Sequence, residues 1–289
     1  VITLEFFQVD VFAAFPYGGN PLAVFPEPKD LSTQQMQRIA REMNLSETTF
    51  VTSAEREGYS VRIFTPGQEL PFAGHPTIGT AWLLRRLEKL AGERYVQTSP
   101  AGETEVTVIG DSLWFERTGE VAPDLQPNDA VSSSIAQALG IEPEEIGLDA
   151  RELGGSGPLR PAEANAGMAQ LMVPLRDDSA LGRCVPRTDA MNALSSAGVY
   201  CFTALGEGRL AARGFFPAVG VMEDPATGSA AAGLGLYLGE RLGGGSFEIE
   251  QGREMGRPSR ISMRCAAGKV SVGGRCELIL RGELEALPE

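Results

Sequence analysis

Polar and apolar positions alternate from the first residues: "VITLEFFQVDVF", residues 1–12, predicts a strand over 4–12, and "VRIFT" at 61–65 reads the same way. The period lengthens in "LSTQQMQRIAREM", residues 31–43, where Met36, Ile39, Ala40 and Met43 fall on one face. That spacing predicts an amphipathic helix, with Ser32 placed to cap its first turn. Two later runs have no polar face: "HPTIGTAWLL", 75–84, and "SAAAGLGLYLG", 229–239. A helix that is apolar all round is expected to be buried all round. The small residues in both runs let strands pack closely, so each is predicted to be a central helix wrapped by a curved sheet.

These two runs belong to a longer repeat. "RIFTPGQELPFAGHPTIGTAWLL", 62–84, and "RGFFPAVGVMEDPATGSAAAGLGLYL", 213–238, both open with R-x-F-x-P and continue to a G-x4-G step, Gly74 to Gly79 and Gly228 to Gly233. The offset is 151 at the arginines (62 to 213) and 154 at the glycines (74 to 228), so a three-residue insertion separates the copies. Each copy is followed by a predicted hairpin, one turning at Gly110-Asp111 and the other near Gly268. The chain therefore reads as two similar α/β halves, 1–122 and 128–276, with 277–289 a candidate to rejoin the first. The linker is expected in "EVAPDLQPND", 120–129, whose Pro, Asp and Asn content opposes helix and strand.

Composition narrows the function classes. Of 289 residues, 43% are hydrophobic and 22% charged, with 35 glycines and 19 prolines, as expected of a turn-rich globular chain. The net charge of −13 opposes nucleic acid and anionic membranes as partners. No stretch approaches the length of a membrane span, and the first residues lack the basic flank and apolar run of a signal peptide, so a cytoplasmic location is expected. Cys184, Cys201, Cys265 and Cys276 form no C-x-x-C pair and have no histidine near them, which argues for reduced thiols rather than a metal site. No P-loop or dinucleotide fingerprint suggests a cofactor.

An acidic protein can still hold an anion at helix N-termini, where backbone N–H groups are unpaired. If the halves stack about a pseudo-twofold axis, the starts of the two central helices face one cavity. His75, the only histidine, sits directly after Gly74, and Ser229 holds the matching place after Gly228. Asp224 precedes Pro225 in "EDPATGS", and Glu47 lies in "NLSETTFV". Taken singly, each has an ordinary alternative: a structural histidine, a helix-capping aspartate, a turn before a strand.

Five stretches, "VDVFAAFPYGGNPLAVF", "MNLSETTFV", "RIFTPGQELPFAGHPTIGTA", "MEDPATGSAAAGL" and "QGREMGRPSRI", resemble the PhzF family of phenazine-biosynthesis isomerases, in family order from residue 9 to about 261. The resemblance implies a fold like diaminopimelate epimerase: two pseudosymmetric domains, each a curved, mostly antiparallel sheet around a central helix, with the active site in the cleft. Racemases of that fold carry a cysteine at each helix entrance, where this chain has Gly74 and Gly228. The resemblance further implies a homodimer and a cofactor-independent proton transfer on trans-2,3-dihydro-3-hydroxyanthranilate or a similar small carboxylate. Glu47 would carry the proton, Asp224 would raise its pKa as a neighbouring carboxylate, and His75 would relay or fix protons. Thr227, Ser229 and the amides at Gly74 and Gly228 would hold the substrate's carboxylate and amino group. Asn20 is a further binding candidate, against plain turn chemistry, and Ser46 either orients Glu47 or contacts substrate. The alternatives are an isomerase or epimerase of another small amino or hydroxy acid, and a binding or scaffold protein.

Overall fold

The structure, a computed structural model, describes residues 3–28, 30–125, 129–195 and 197–288. Contacts divide the chain into two units, Val1–Glu116 with Gly273–Glu289, and Arg117–Val272.

In the first unit the strands run Leu4–Val11, Asn20–Phe25, Glu47–Glu55, Gly58–Phe64, Arg94–Ser99 and Gly102–Ile109, each paired with the next. Their relations are antiparallel, parallel, antiparallel, parallel and antiparallel. A parallel pair needs a crossover. The helix Thr33–Met43 supplies the first and the helix Gly74–Arg86 the second. In the second unit the strands Ala162–Asn165, Ala169–Pro174, Val199–Gly206, Arg209–Phe216, Gly245–Gln251 and Ser259–Ala266 repeat the same five relations in the same order. Here the short helices Asp178–Arg183 and Thr188–Leu194 make the first crossover and Gly228–Leu242 the second. The duplication seen in the sequence is thus a duplication of topology.

Further strands extend the pairing in each unit. Cys276–Leu284 lies antiparallel to Leu4–Val11, returning the C-terminal segment to the first unit. Glu120–Val121 pairs with Ala162–Asn165. Residues expected to start the linker are therefore strand in the second unit, because Asn165 and Ala164 satisfy their backbone and the first proline comes only at Pro123. Residues 126–128 of the expected linker lie outside the described residues.

Local rules hold where the chain makes its own contacts. Ser32 Oγ accepts from Gln35 N at 3.2 Å, and Gln35 returns a bond to the Ser32 amide, a reciprocal cap on Thr33–Met43. Met36, Ile39 and Ala40 bury against Phe25, Phe50 and Phe64, with the Phe25 and Phe50 rings stacked at 4.9 Å. The two central helices are buried along most of their length. Their glycines are where strands come closest: a Cβ on Gly79 would stand 2.6 Å from Val11 Cγ2, and one on Gly239 2.3 Å from the Ala266 carbonyl oxygen. Among the described residues, no helix is long and apolar enough to cross a membrane.

Candidate active site

Three predicted residues of the first unit meet at one point. Gly19, at φ +65°, has no room for a Cβ, which would lie 2.3 Å from the Val11 carbonyl oxygen; this turn delivers Asn20 to the start of its strand. Glu47 opens the next strand, directly after the left-handed Asn44 ends the preceding helix and half-buried Ser46 follows it. His75 is the second residue of the central helix. Asn20 Nδ2 stands 3.2 Å from His75 Nδ1, and His75 Nε2 stands 3.3 Å from Glu47 Oε2, an approach that falls short of hydrogen-bond alignment.

The electrostatics follow from burial. His75 is 3% exposed, and desolvation lowers its pKa from 6.5 to about 3, so the ring is neutral in ordinary conditions. An amide N–H can only donate, so Asn20 makes Nδ1 the acceptor and leaves the ring proton on Nε2, facing the Glu47 carboxylate. The arrangement holds the Glu47 carboxyl group against a neutral donor.

In the second unit Asp224 ends the short strand Val221–Asp224 and is 6% exposed. Thr227 Oγ1 donates to Asp224 Oδ2 at 2.6 Å. Thr227 is the N-cap position of the helix Gly228–Leu242, yet its hydroxyl, spent on Asp224, does not cap it; in the first unit the cap position is Ala73, which has no hydroxyl. Both helices therefore begin without a side-chain cap, at a cost of about 1 kcal/mol each relative to a capping residue. Their opening amides, at Gly74 with His75 and at Gly228 with half-buried Ser229, keep the polarity that favours an anion.

Superposing the copies at the 154-residue offset pairs "ELPFAGH", 69–75, with "EDPATGS", 223–229. Glu69 and Glu223 each take a two-pronged ion pair from the arginine of the R-x-F-x-P motif: Arg62 bonds Glu69 at 2.8 and 2.6 Å, Arg213 bonds Glu223 at 2.8 and 2.9 Å. This repeated brace fixes the loop that enters each central helix. Within it the chemistry has diverged, with Leu70 where the second unit has Asp224, and His75 where it has Ser229.

Reasoning from sequence missed these arginine–glutamate pairs and also two buried glutamines, Gln97 and Gln251, at matching places in the two units. The repeated R-x-F-x-P arginine, with Glu69 and Glu223 each five residues before the glycine that opens the central helix (69 to 74, 223 to 228), was the available signal. Neither central helix opens on a cysteine; Cys184, Cys201 and Cys276 are buried and Cys265 is half-buried. Among the described residues, no cluster of His, Cys, Asp or Glu is placed to hold a metal.

Comparison with known proteins shows the family and the fold. The family model described as phenazine biosynthesis-like protein matches residues 9–282. A trans-2,3-dihydro-3-hydroxyanthranilate isomerase of Pseudomonas chlororaphis is 38% identical over 282 residues, covering 96% of this chain and 93% of that protein. A PhzF-family phenazine biosynthesis protein of Bacillus anthracis superposes with a TM-score of 0.84 at 21% identity, covering 99% of this chain and 100% of that one. A hydroxyproline epimerase of Agrobacterium vitis shares the fold more distantly, with a TM-score of 0.60 at 11% identity and coverage of 98% and 92%.

Proposed function

The chain belongs to the PhzC–PhzF family of phenazine biosynthesis-like proteins and is a PhzF-like isomerase, and from that premise we propose that it moves a proton between carbons of trans-2,3-dihydro-3-hydroxyanthranilate or a closely similar cyclic amino acid. The observation that carries the reading is the Glu47–His75–Asn20 constellation: a carboxylate 3.3 Å from a buried, neutral imidazole whose tautomer is set from its far side.

The substrate retains two conjugated double bonds. Glu47 removes the hydrogen of C3, the bond's electron pair shifts along the diene, and C1 takes a proton, so one C–H bond breaks and one forms. The resulting enol, its hydroxyl on C3, tautomerises to an aminoketone. Both steps ask only for a positioned acid/base group. His75 Nε2–H steadies the carboxylate when it is charged. The uncapped amides at the helix starts, with Ser229 and Thr227, are assigned to the substrate's carboxylate and amino group, and Asp224 to proton handling on the second unit's side.

The test is consumption of trans-2,3-dihydro-3-hydroxyanthranilate in deuterated water by wild type and Glu47→Gln, with product deuterium read by mass spectrometry. Wild-type turnover with a loss of about 10²- to 10⁴-fold in Glu47→Gln is expected, the usual range for removing a general acid/base. Equal turnover by the two proteins would refute the role of Glu47. A folded wild type that leaves the compound untouched would refute this substrate and point to another small amino or hydroxy acid.

A further inference from the structure

The segment "QGREMGRPS", 251–259, has no part in the chemistry above, yet it is folded against the loop that carries Asp224. Gln251 is fully buried at the end of its strand, and its side chain uses all its hydrogen-bonding capacity on that loop and one tyrosine. Its Nε2 donates to the Asp224 carbonyl oxygen at 2.7 Å and to Thr227 Oγ1 at 3.0 Å. Its Oε1 accepts from the Thr227 amide at 3.2 Å and from the Tyr200 hydroxyl at 2.8 Å. Burial raises the Tyr200 pKa, so that hydroxyl stays a donor and fixes which way the amide points.

The backbone next to Gln251 closes on the same loop. Gly252 has φ +78°, and a Cβ there would stand 2.6 Å from the Pro225 carbonyl oxygen and 2.5 Å from that of Arg257. The turn is tied by Arg257 N to Gly252 O at 3.0 Å and by Ser259 Oγ to Gln251 O at 3.1 Å. A glutamine holds the matching place in the first unit, where it bonds the first turns of the central helix rather than the loop before it: Gln97 and Gln251 each lie 23 residues beyond the glycine that opens the central helix (74 to 97, 228 to 251). Gln97 Nε2 donates to Thr77 Oγ1 at 3.0 Å, Gln97 Oε1 accepts from Tyr59 at 2.8 Å, and the following Ala101 amide bonds the Pro71 carbonyl oxygen, Pro71 matching Pro225.

We propose that Gln251 is a positioning residue for the reaction, the centre of a clasp that holds Asp224 and the Thr227 amide in the orientation the substrate meets. The proposal rests on the reading of Asp224 and Thr227 as substrate-facing groups. Gln251 acts through both: with its amide gone, the Asp224–Thr227 turn loses the two bonds that tie its ends together, and the Thr227 hydroxyl is released to leave Asp224 Oδ2.

The test compares Gln251→Met, Gln251→Glu and Tyr200→Phe with wild type, in full-length protein well below the melting temperature. Turnover is measured from pH 5 to 9, alongside hydrogen exchange at the Thr227 amide. Gln251→Met should lower kcat/KM by about 10- to 100-fold, the scale set by small misplacements of a reacting group, and speed Thr227 exchange. An ionised carboxylate in place of the Gln251 amide cannot donate to the Asp224 carbonyl, whereas a protonated carboxyl can, so Gln251→Glu should regain activity as pH falls while Gln251→Met does not. Tyr200→Phe, which removes one bond and keeps the ring, should show a smaller loss in the same direction and decides the matter if Gln251→Met fails to fold. An active wild type with unchanged kcat/KM in these variants would overturn the proposal. A wild type inactive on this compound would refute the substrate reading instead, and unchanged Thr227 exchange in Gln251→Met would still overturn the clasp.

Discussion

Because the chain has one histidine, its charge state can be followed without assignment. The side chain is 3% exposed, and burial lowers its pKa from 6.5 to about 3. The shift corresponds to about 5 kcal/mol of preference for the neutral ring, at about 1.36 kcal/mol per unit. Below pH 6.5 the unfolded chain binds a proton that the folded protein refuses, so the stability this group contributes is whole above pH 6.5 and is lost as pH falls toward 3. Between pH 8 and pH 4.5 the loss should be about 3 kcal/mol. Two measurements check this. Nuclear magnetic resonance of histidine-labelled protein should show a neutral ring, protonated on Nε2, throughout pH 5 to 8. Urea unfolding at pH 8 and 4.5 should give wild type a steeper stability loss than His75→Asn, by about the stated amount. A ring that titrates with a midpoint near 6.5 would refute the burial argument, and one that carries its proton on Nδ1 would refute the role assigned to Asn20.

Other outcomes follow from the same contacts. Asn20→Leu strands the buried Nδ1 without its donor and should cost about 1–3 kcal/mol in stability, with reduced turnover and a mixture of ring tautomers in the histidine spectrum. Gly239→Ala should destabilise the second unit although alanine is the better helix former by about 1 kcal/mol, because the methyl would meet the backbone at Ala266; an unchanged melting temperature would show that the strand yields. Arg213→Met leaves the Glu223 carboxylate without its two-pronged partner and takes one donor each from the Leu181 and Cys184 carbonyls, so a loss of about 3–5 kcal/mol is expected in denaturant unfolding.

What the sequence determined by itself is whatever a few consecutive residues decide. The helix Thr33–Met43 is written in its apolar stripe and its Ser32 cap, the first hairpin in Gly110-Asp111, and the two central helices in their lack of a polar face. The duplication was legible because both copies must solve the same problem, a helix packed so closely by strands that glycine is required. The places of His75, Asp224, Thr227 and Ser229 at helix entrances were legible for the same reason.

Tertiary structure decided what those residues touch. Asn20 reaches His75 across 55 positions, and Gln251 reaches Tyr200 across 51, through sheet registers that no local pattern encodes. Glutamine in a strand has no periodic signature, and a loop of Pro, Asp and Asn reads as a linker until a neighbouring strand pairs with Glu120 and Val121. Only burial could settle the charge of His75, since the same imidazole in water would titrate near neutrality. Periodicity and turn chemistry are local free energies, whereas hydrogen-bond partners and desolvation depend on which distant segments exclude water from a group.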